Sequence, residues 1–131
     1  MSNQQSEVSV RVRPLLRRLK ASLPLLPRVL PENLATIQFV LVDRATMMRV
    51  HAHFLGDPTD TDVITFPYGE ILVCPAVAQD RAAEFSRNVE EEVLLYALHG
   101  LLHLAGYDDT TSALAKTMAR AQEKLLKQVL E

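Results

Sequence analysis

The spacing of apolar positions changes along the chain, and the changes mark its elements. Val8, Val10 and Val12 alternate with Ser9, Arg11 and Arg13, the period of a half-buried strand. Pro14 suits the first position of a helix, Leu15 to about Leu23, because its missing N–H has no intrahelical partner there. Pro24, Pro27 and Pro31 make the next stretch a loop. The run Ile37-Gln38-Phe39-Val40-Leu41-Val42 is β-branched and almost wholly apolar, which predicts a central strand. Asp43 can cap a helix that runs to Leu55 and stops at Gly56, with Pro58 beyond. Val63 to Phe66 and Ile71 to Cys74 read as two strands joined through Pro67-Tyr68-Gly69. Pro75 opens a further helix, Ala76 to about Arg87.

Asn88 with Glu91 three residues on resembles a capping box, and Glu90, Glu91 and Glu92 favour the positive end of a helix dipole. The helix they start, to about Ala105, carries Val93 to Leu98, Leu101, Leu102 and Leu104. It is apolar on nearly every side, and such a helix is buried. A last helix follows Thr110–Ser112, with Leu114, Met118, Ala121, Leu125 and Val129 on one stripe. This order predicts an α+β fold over a single domain, residues 1–131. It would have a small four-stranded mixed sheet packed with about five helices.

Composition narrows the class. At 131 residues, 48% hydrophobic and 23% charged, the chain is one ordinary globular domain in size and balance. No apolar run approaches the ~18 residues of a membrane span. MSNQQSEVSV lacks the basic and apolar regions of a secretory signal. One cysteine, Cys74, excludes a disulfide framework, suits a reducing compartment and reads as a small core residue. A cytoplasmic protein with no membrane partner is expected. The formal charge of −2 excludes a strongly basic nucleic-acid coat but not a nucleic-acid enzyme. That charge is unevenly spread: +5 over residues 1–28, −9 over 29–110 and +2 over 111–131. Arg11, Arg13, Arg17 and Arg18 therefore read either as a polyanion-contacting flank or as a solvated helix face.

The segment His99-Gly100-Leu101-Leu102-His103-Leu104-Ala105-Gly106-Tyr107-Asp108-Asp109 carries the chemistry. Histidines four apart lie on one helix face, one turn apart, and two imidazoles there can share a metal ion. Unpaired inside an apolar helix they would be costly. Gly106 can end the helix by turning left-handed, which lets Asp108 or Asp109 return as a third ligand and leaves one tetrahedral position open. Gly100 in mid-helix costs ~1 kcal/mol against alanine and suggests close backbone packing. The register matches the metzincin signature, but Gly100 replaces the general-base Glu and Asp109 the third His, so a peptidase of that mechanism lacks its base.

His99 to Asp108 also resembles, residue for residue, the H-G-x-L-H-L-x-G-Y-D-H signature of the YbeY family, with Asp109 where the family usually has His. Thr61-Asp62-Val63-Ile64-Thr65-Phe66-Pro67 is similar to its T-D-V-L-S-F-P, Gly69-Glu70-Ile71 to its G-D-I, and Gln122-Glu123 to its C-terminal Q-E. The resemblance covers about residues 37–127 and implies an α+β fold with the metal site on the buried helix and its following loop. It implies a single-strand-specific, metal-dependent endoribonuclease in 16S rRNA maturation and ribosome quality control. One Zn²⁺ per chain would be held by His99, His103 and Asp109, with Asp108 the rival ligand. The partners would be single-stranded RNA, rRNA or a ribosomal particle. A carboxylate in place of the third imidazole takes one unit off the charge of the centre, which acidifies bound water less and makes Mn²⁺ more competitive.

The family's Arg, which follows an aromatic upstream of the T-D-V block, maps onto Leu55 after Phe54. Its loss keeps open a non-catalytic, metal-stabilised ribosome-assembly or binding module. His51 and His53 point about 200° apart on a helix, so at most one faces the site. His51, on a polar family position, is the better candidate. Asp62 and Thr61 would polarise a substrate or a ligating histidine, or cap the turn before the strand. Tyr107 would pack, or stack on a base.

Overall fold

The structure, a computed structural model, describes residues 2–4, 10–34 and 36–131. In chain order its strands are β1 (Ser2–Gln4), β2 (Gln38–Val42), β3 (Val63–Phe66) and β4 (Glu70–Val73). Its helices are α1 (Val12–Ser22), α2 (Arg44–Leu55), α3 (Pro75–Glu84), α4 (Val89–Leu104) and α5 (Ser112–Leu130), with a 3-10 turn, Leu23–Leu25, after α1.

The four-stranded sheet expected from the sequence needs correction. Of the four strands read there, three form, and they make the body of a mixed sheet. β2 runs parallel to β4, with Val40 opposite Leu72, and β3 is antiparallel to β4, with Ile64 opposite Leu72. The strand read at Val8–Arg13 does not form where it can be seen. Val10 and Arg11 are irregular and Val12 opens α1; Val8 and Ser9 lie outside the described residues. Three alternating residues cannot separate a strand from a helix start. Val12, Leu15 and Leu19 also fit helical spacing, and Leu15 and Leu19 are buried. Pro14 is the third residue of α1 rather than its first, still among the N–H positions that lack an intrahelical partner. Beside the three-stranded body, among the described residues only the three of β1 add to the sheet, parallel to β2 at its edge, with Ser2 opposite Val40.

The sheet is covered on both faces, which is why its strands read as continuous apolar runs. Phe39, Leu41, Ile71 and Val73 point into one core with Leu15 and Leu19 of α1, most of α4, and Met118, Leu125 and Leu126 of α5. Their neighbours Val40, Val42 and Leu72 point the other way, onto Met47 of α2 and Ala76 and Val77 of α3. Cys74 is buried in that second core, as the small core residue expected.

The helix ends follow from the sequence. The Asp43 carboxylate accepts the Thr46 N–H at 2.8 Å, and Gly56 closes α2 at φ 71°. Asn88 accepts the Glu91 N–H at 2.8 Å and donates to the Glu91 carboxylate at 3.1 Å. The acidic start of α4 does more than complement its dipole. Glu90 accepts from Arg11 at 3.1 Å, and Glu92 is buried with Arg87 at 3.5 Å.

Candidate metal centre

α4 is buried from Glu92 to Ala105 at every position except two, His99 and His103. Beyond its first turn the helix therefore surfaces only where it carries imidazoles. Gly100 makes this possible. A Cβ there would lie 2.7 Å from Ile71 Cγ2 and 3.0 Å from Thr65 Oγ1, so α4 lies against β4 and β3 at a distance that only glycine permits. The close packing expected from Gly100 is thus present, and it fixes the helix turn that bears both histidines.

After α4, Gly106 takes φ 99° and the chain doubles back, with the Tyr107 N–H donating to the Leu102 carbonyl at 3.0 Å. Arg28 fastens the loop. Its guanidinium donates to the Gly106 carbonyl at 3.1 Å and lies 3.9 Å over the Tyr107 ring. Tyr107 is thereby held in packing. The two aspartates that follow part ways. Asp108 turns back on its own loop, accepting the Thr110 N–H at 2.9 Å and the Thr110 hydroxyl at 3.1 Å, and these bonds hold its carboxyl below the usual range. Asp109 points at the histidines.

His99 Nε2 and His103 Nε2 are 3.0 Å apart, and Asp109 Oδ2 lies 3.7 Å from the first and 3.6 Å from the second. The far side of each ring is already committed. His99 Nδ1–H donates to the Gln122 side-chain carbonyl at 2.6 Å, and His103 Nδ1–H to the Tyr107 backbone carbonyl at 3.1 Å. With Nδ1 carrying the hydrogen, each ring directs Nε2 into the same space as a carboxylate oxygen. Two lone pairs at that distance repel unless a cation lies between them. Ligand atoms about 2.0–2.1 Å from a tetrahedral ion are about 3.3 Å apart, and the three observed separations bracket that value. The donor set therefore fits a divalent ion. Burial pushes the His99 pKa below its ordinary value, and the His103 charge adds to this, while Gln122, Asp109 and Asp62 oppose it. The ring is thus kept neutral, as a ligand must be.

The cluster forms the wall of an open cleft of about 810 Å³. His51, Leu55 and Asp62 line it as well. His51 donates Nδ1–H to the Thr59 carbonyl at 2.8 Å, whereas His53 is not among the lining residues. Asp62 accepts the Val63 N–H at 2.8 Å, so it caps the start of β3 while facing the cleft. Leu55 is 62% exposed at the rim.

The comparisons with known proteins agree with this geometry. The family model described as Endoribonuclease YbeY matches residues 1–130. The chain belongs to the YbeY family. An Endoribonuclease YbeY of Thermotoga maritima is 37% identical over 100 residues, covering 71% of this chain and 67% of its own length. That of Clavibacter sepedonicus is 31% identical over 141 residues, covering 95% and 90%. A solution structure of a Thermotoga maritima protein, 28% identical, superimposes with a TM-score of 0.66 over 98% of this chain and 87% of its own.

On this YbeY scaffold a second cavity, about 540 Å³, opens on the other side of the cluster between α3, α4 and α5, lined by Arg81, Arg87, Glu92, Tyr96 and Gln122. The Tyr96 hydroxyl is buried there without a hydrogen-bond partner among the described residues, and burial, then Glu92, pushes its pKa up. None of Arg11, Arg13, Arg17 and Arg18 lines either cavity. Arg11 instead meets Glu90 at the opposite end of α4, about 14 Å along the helix from His99. Sequence reading took Gln122 only as part of a motif and gave Arg28 no role at the site. The signal for Gln122 was present: it falls between Met118 and Leu125 on the buried stripe of α5, a polar residue where an apolar one is expected. For Arg28 there was none, because its contact depends on how the 26–34 loop crosses the end of α4. No described helix is long and apolar enough to cross a membrane.

Proposed function

We propose that the chain, as one domain over residues 1–131, is a metal-dependent endoribonuclease specific for single strands, acting in the cytoplasm on rRNA or ribosomal particles in 16S rRNA maturation and ribosome quality control. The observation that carries this reading is the convergence of His99 Nε2, His103 Nε2 and Asp109 Oδ2, with both Nδ1 atoms committed elsewhere, at the wall of an open cleft.

In this reading Zn²⁺ is the resident ion, one per chain, with Mn²⁺ the nearest competitor because one ligand is a carboxylate. His99, His103 and Asp109 hold it, and Gln122 orients His99. The ion supplies Lewis acidity toward a phosphodiester oxygen and lowers the pKa of bound water. His51 and Asp62 are the proton-handling candidates. The His51 bond to Thr59 leaves Nε2 as the basic atom of the neutral ring, and Asp62 faces both cavities. Arg13, Arg17 and Arg18 on α1 are outlying backbone contacts, and Arg11 is committed to Glu90.

A specific observation favours a second reading, a metal-stabilised, non-catalytic ribosome-assembly or binding module. Leu55 occupies the rim, and no Lys or Arg is among the described residues that line the cleft. A labelled single-stranded RNA, its duplex counterpart, and the Asp109→Ala and Asp108→Ala variants separate the two. The enzyme reading requires cleavage of the single strand only, lost in Asp109→Ala and kept in Asp108→Ala. Failure of the metal-loaded wild type to cut either RNA would sink it and leave the binding module.

A further inference from the structure

A cleft that takes a polyanion with no Lys or Arg among its described lining residues needs a source of affinity beyond the metal site, and one rim supplies it. Phe54 is in the last turn of the helix α2, Phe66 ends the strand β3, and Tyr68 is in the turn to β4. Together the three rings form a continuous row. The Phe54 and Phe66 centroids are 5.1 Å apart at 74°, and those of Phe66 and Tyr68 are 5.5 Å apart at 20°, a stacked pair. The two outer rings are open to solvent, Phe54 at 60% and Tyr68 at 68%. Phe66 is half-buried between them. Single exposed apolar residues are ordinary. A row is different: the chain has four Phe and three Tyr, and three of these seven rings gather here.

The row is continuous with the metal cluster, since Phe54 and Phe66 line the same cleft as His99, His103 and Asp109. The Tyr68 hydroxyl donates to the Glu70 carboxylate at 2.8 Å, which fixes the ring in place.

We propose that Phe54, Phe66 and Tyr68 form a base-stacking lane that holds single-stranded RNA beside the metal cluster. This rests on the ribonuclease reading and adds to it the means by which strand and site are brought together. Phe54 and Tyr68 each offer a ring to an unpaired base, and Phe66 buttresses both. A duplex, whose bases already stack on each other, has no free face to offer. The lane therefore selects single strands, and it does so without the charge that residue 55 lacks. Stacking is indifferent to base identity but stronger for purines, so an adenine-rich strand binds better than a uridine-rich one.

The test is fluorescence anisotropy with 5′-labelled oligoadenylate, oligouridylate and an abasic ribose-phosphate strand of equal length, on metal-loaded protein, with the probe checked for integrity. Phe54→Ala and Tyr68→Ala should each weaken oligoadenylate binding by about 5- to 100-fold. The slope of affinity against salt should not change, because no phosphate contact is removed. Phe54→Trp and Tyr68→Phe should retain affinity. Phe54→Leu, apolar but without a π face, should lose it as Phe54→Ala does. None of these should alter binding of the abasic strand, the helix signal or the metal content. If Phe54→Leu binds as well as wild type, or if the abasic strand is lost in parallel, the rings act as apolar surface or scaffold and the lane is refuted. RNA cleavage that is indifferent to all five substitutions refutes the lane while the ribonuclease reading stands. A wild type that neither binds nor cuts RNA overturns both, and capture of an apolar peptide by this rim would then identify its occupant.

Discussion

Replacing Gly100 by alanine sets two effects of opposite sign against each other. In the middle of α4, alanine is the better helix former by about 1 kcal/mol. The new methyl, however, would lie 2.7 Å from Ile71 Cγ2, 3.0 Å from Ile71 Cδ1 and 3.0 Å from Thr65 Oγ1. Carbon atoms pack best at about 3.5–4.0 Å, so close to 1 Å of overlap must be relieved. Ile71 is fully buried and branched at Cβ, so its Cγ2 cannot swing clear without moving β4. Overpacking of this kind costs about 1–3 kcal/mol. The packing cost outweighs the helix gain, and the expected net loss is about 1 kcal/mol, a fall in Tm of about 3–5 °C for a domain of this size.

Relief by lifting α4 from the sheet would also displace His99 from Gln122, so metal affinity should fall along with stability. Urea unfolding and zinc competition against a chromophoric chelator measure the two. The Ile71→Ala background removes both clashing carbons, and there Gly100→Ala should become neutral or stabilising. If Gly100→Ala alone leaves the protein equally or more stable, α4 is not seated on β4 as described and the account of how the site is positioned fails.

Gln122→Ala should weaken zinc binding by about 10- to 100-fold while leaving the helix signal intact, since the amide only orients His99; an unchanged zinc affinity would remove Gln122 from the site. In metal-free protein the folded His99 pKa lies below its unfolded value of about 6.5, so the unfolded chain takes up the proton first. Stability from this group is full above about pH 6.5 and is lost as pH falls below that value. The Tm of chelator-treated protein should therefore drop between pH 7.5 and 5.5, with a smaller drop in His99→Gln, and equal slopes in the two proteins would contradict it.

Much of the site was legible because it is local. The pair His99 and His103 needs only the helical period, and the return of Asp109 needs only the left-handed glycine that ends α4. The preference for Asp109 over Asp108 came from the resemblance and not from the spacing, because both aspartates follow the same glycine turn. Asp108 is drawn off by the Thr110 turn, a competition that appears only in the folded loop. The misread first strand has a similar cause. Val8 to Arg13 is too short for its period to decide, and the burial of Leu15 and Leu19 against α4 and α5 settles α1 from Val12 onward. The placement of the basic flank was out of reach for a third reason. Charge summed along the chain says nothing about which end of α4 the arginines reach, and Arg11 reaches the end away from the histidines.

The central claim is that His99, His103 and Asp109 hold one divalent ion. Elemental analysis of protein purified without chelator, together with anomalous diffraction at the zinc edge, tests it directly. The account predicts one ion per chain, bonded to His99 Nε2, His103 Nε2 and Asp109 Oδ2, retained in Asp108→Ala and lost in Asp109→Ala. Protein without stoichiometric metal, or metal kept in Asp109→Ala and lost in Asp108→Ala, would contradict it.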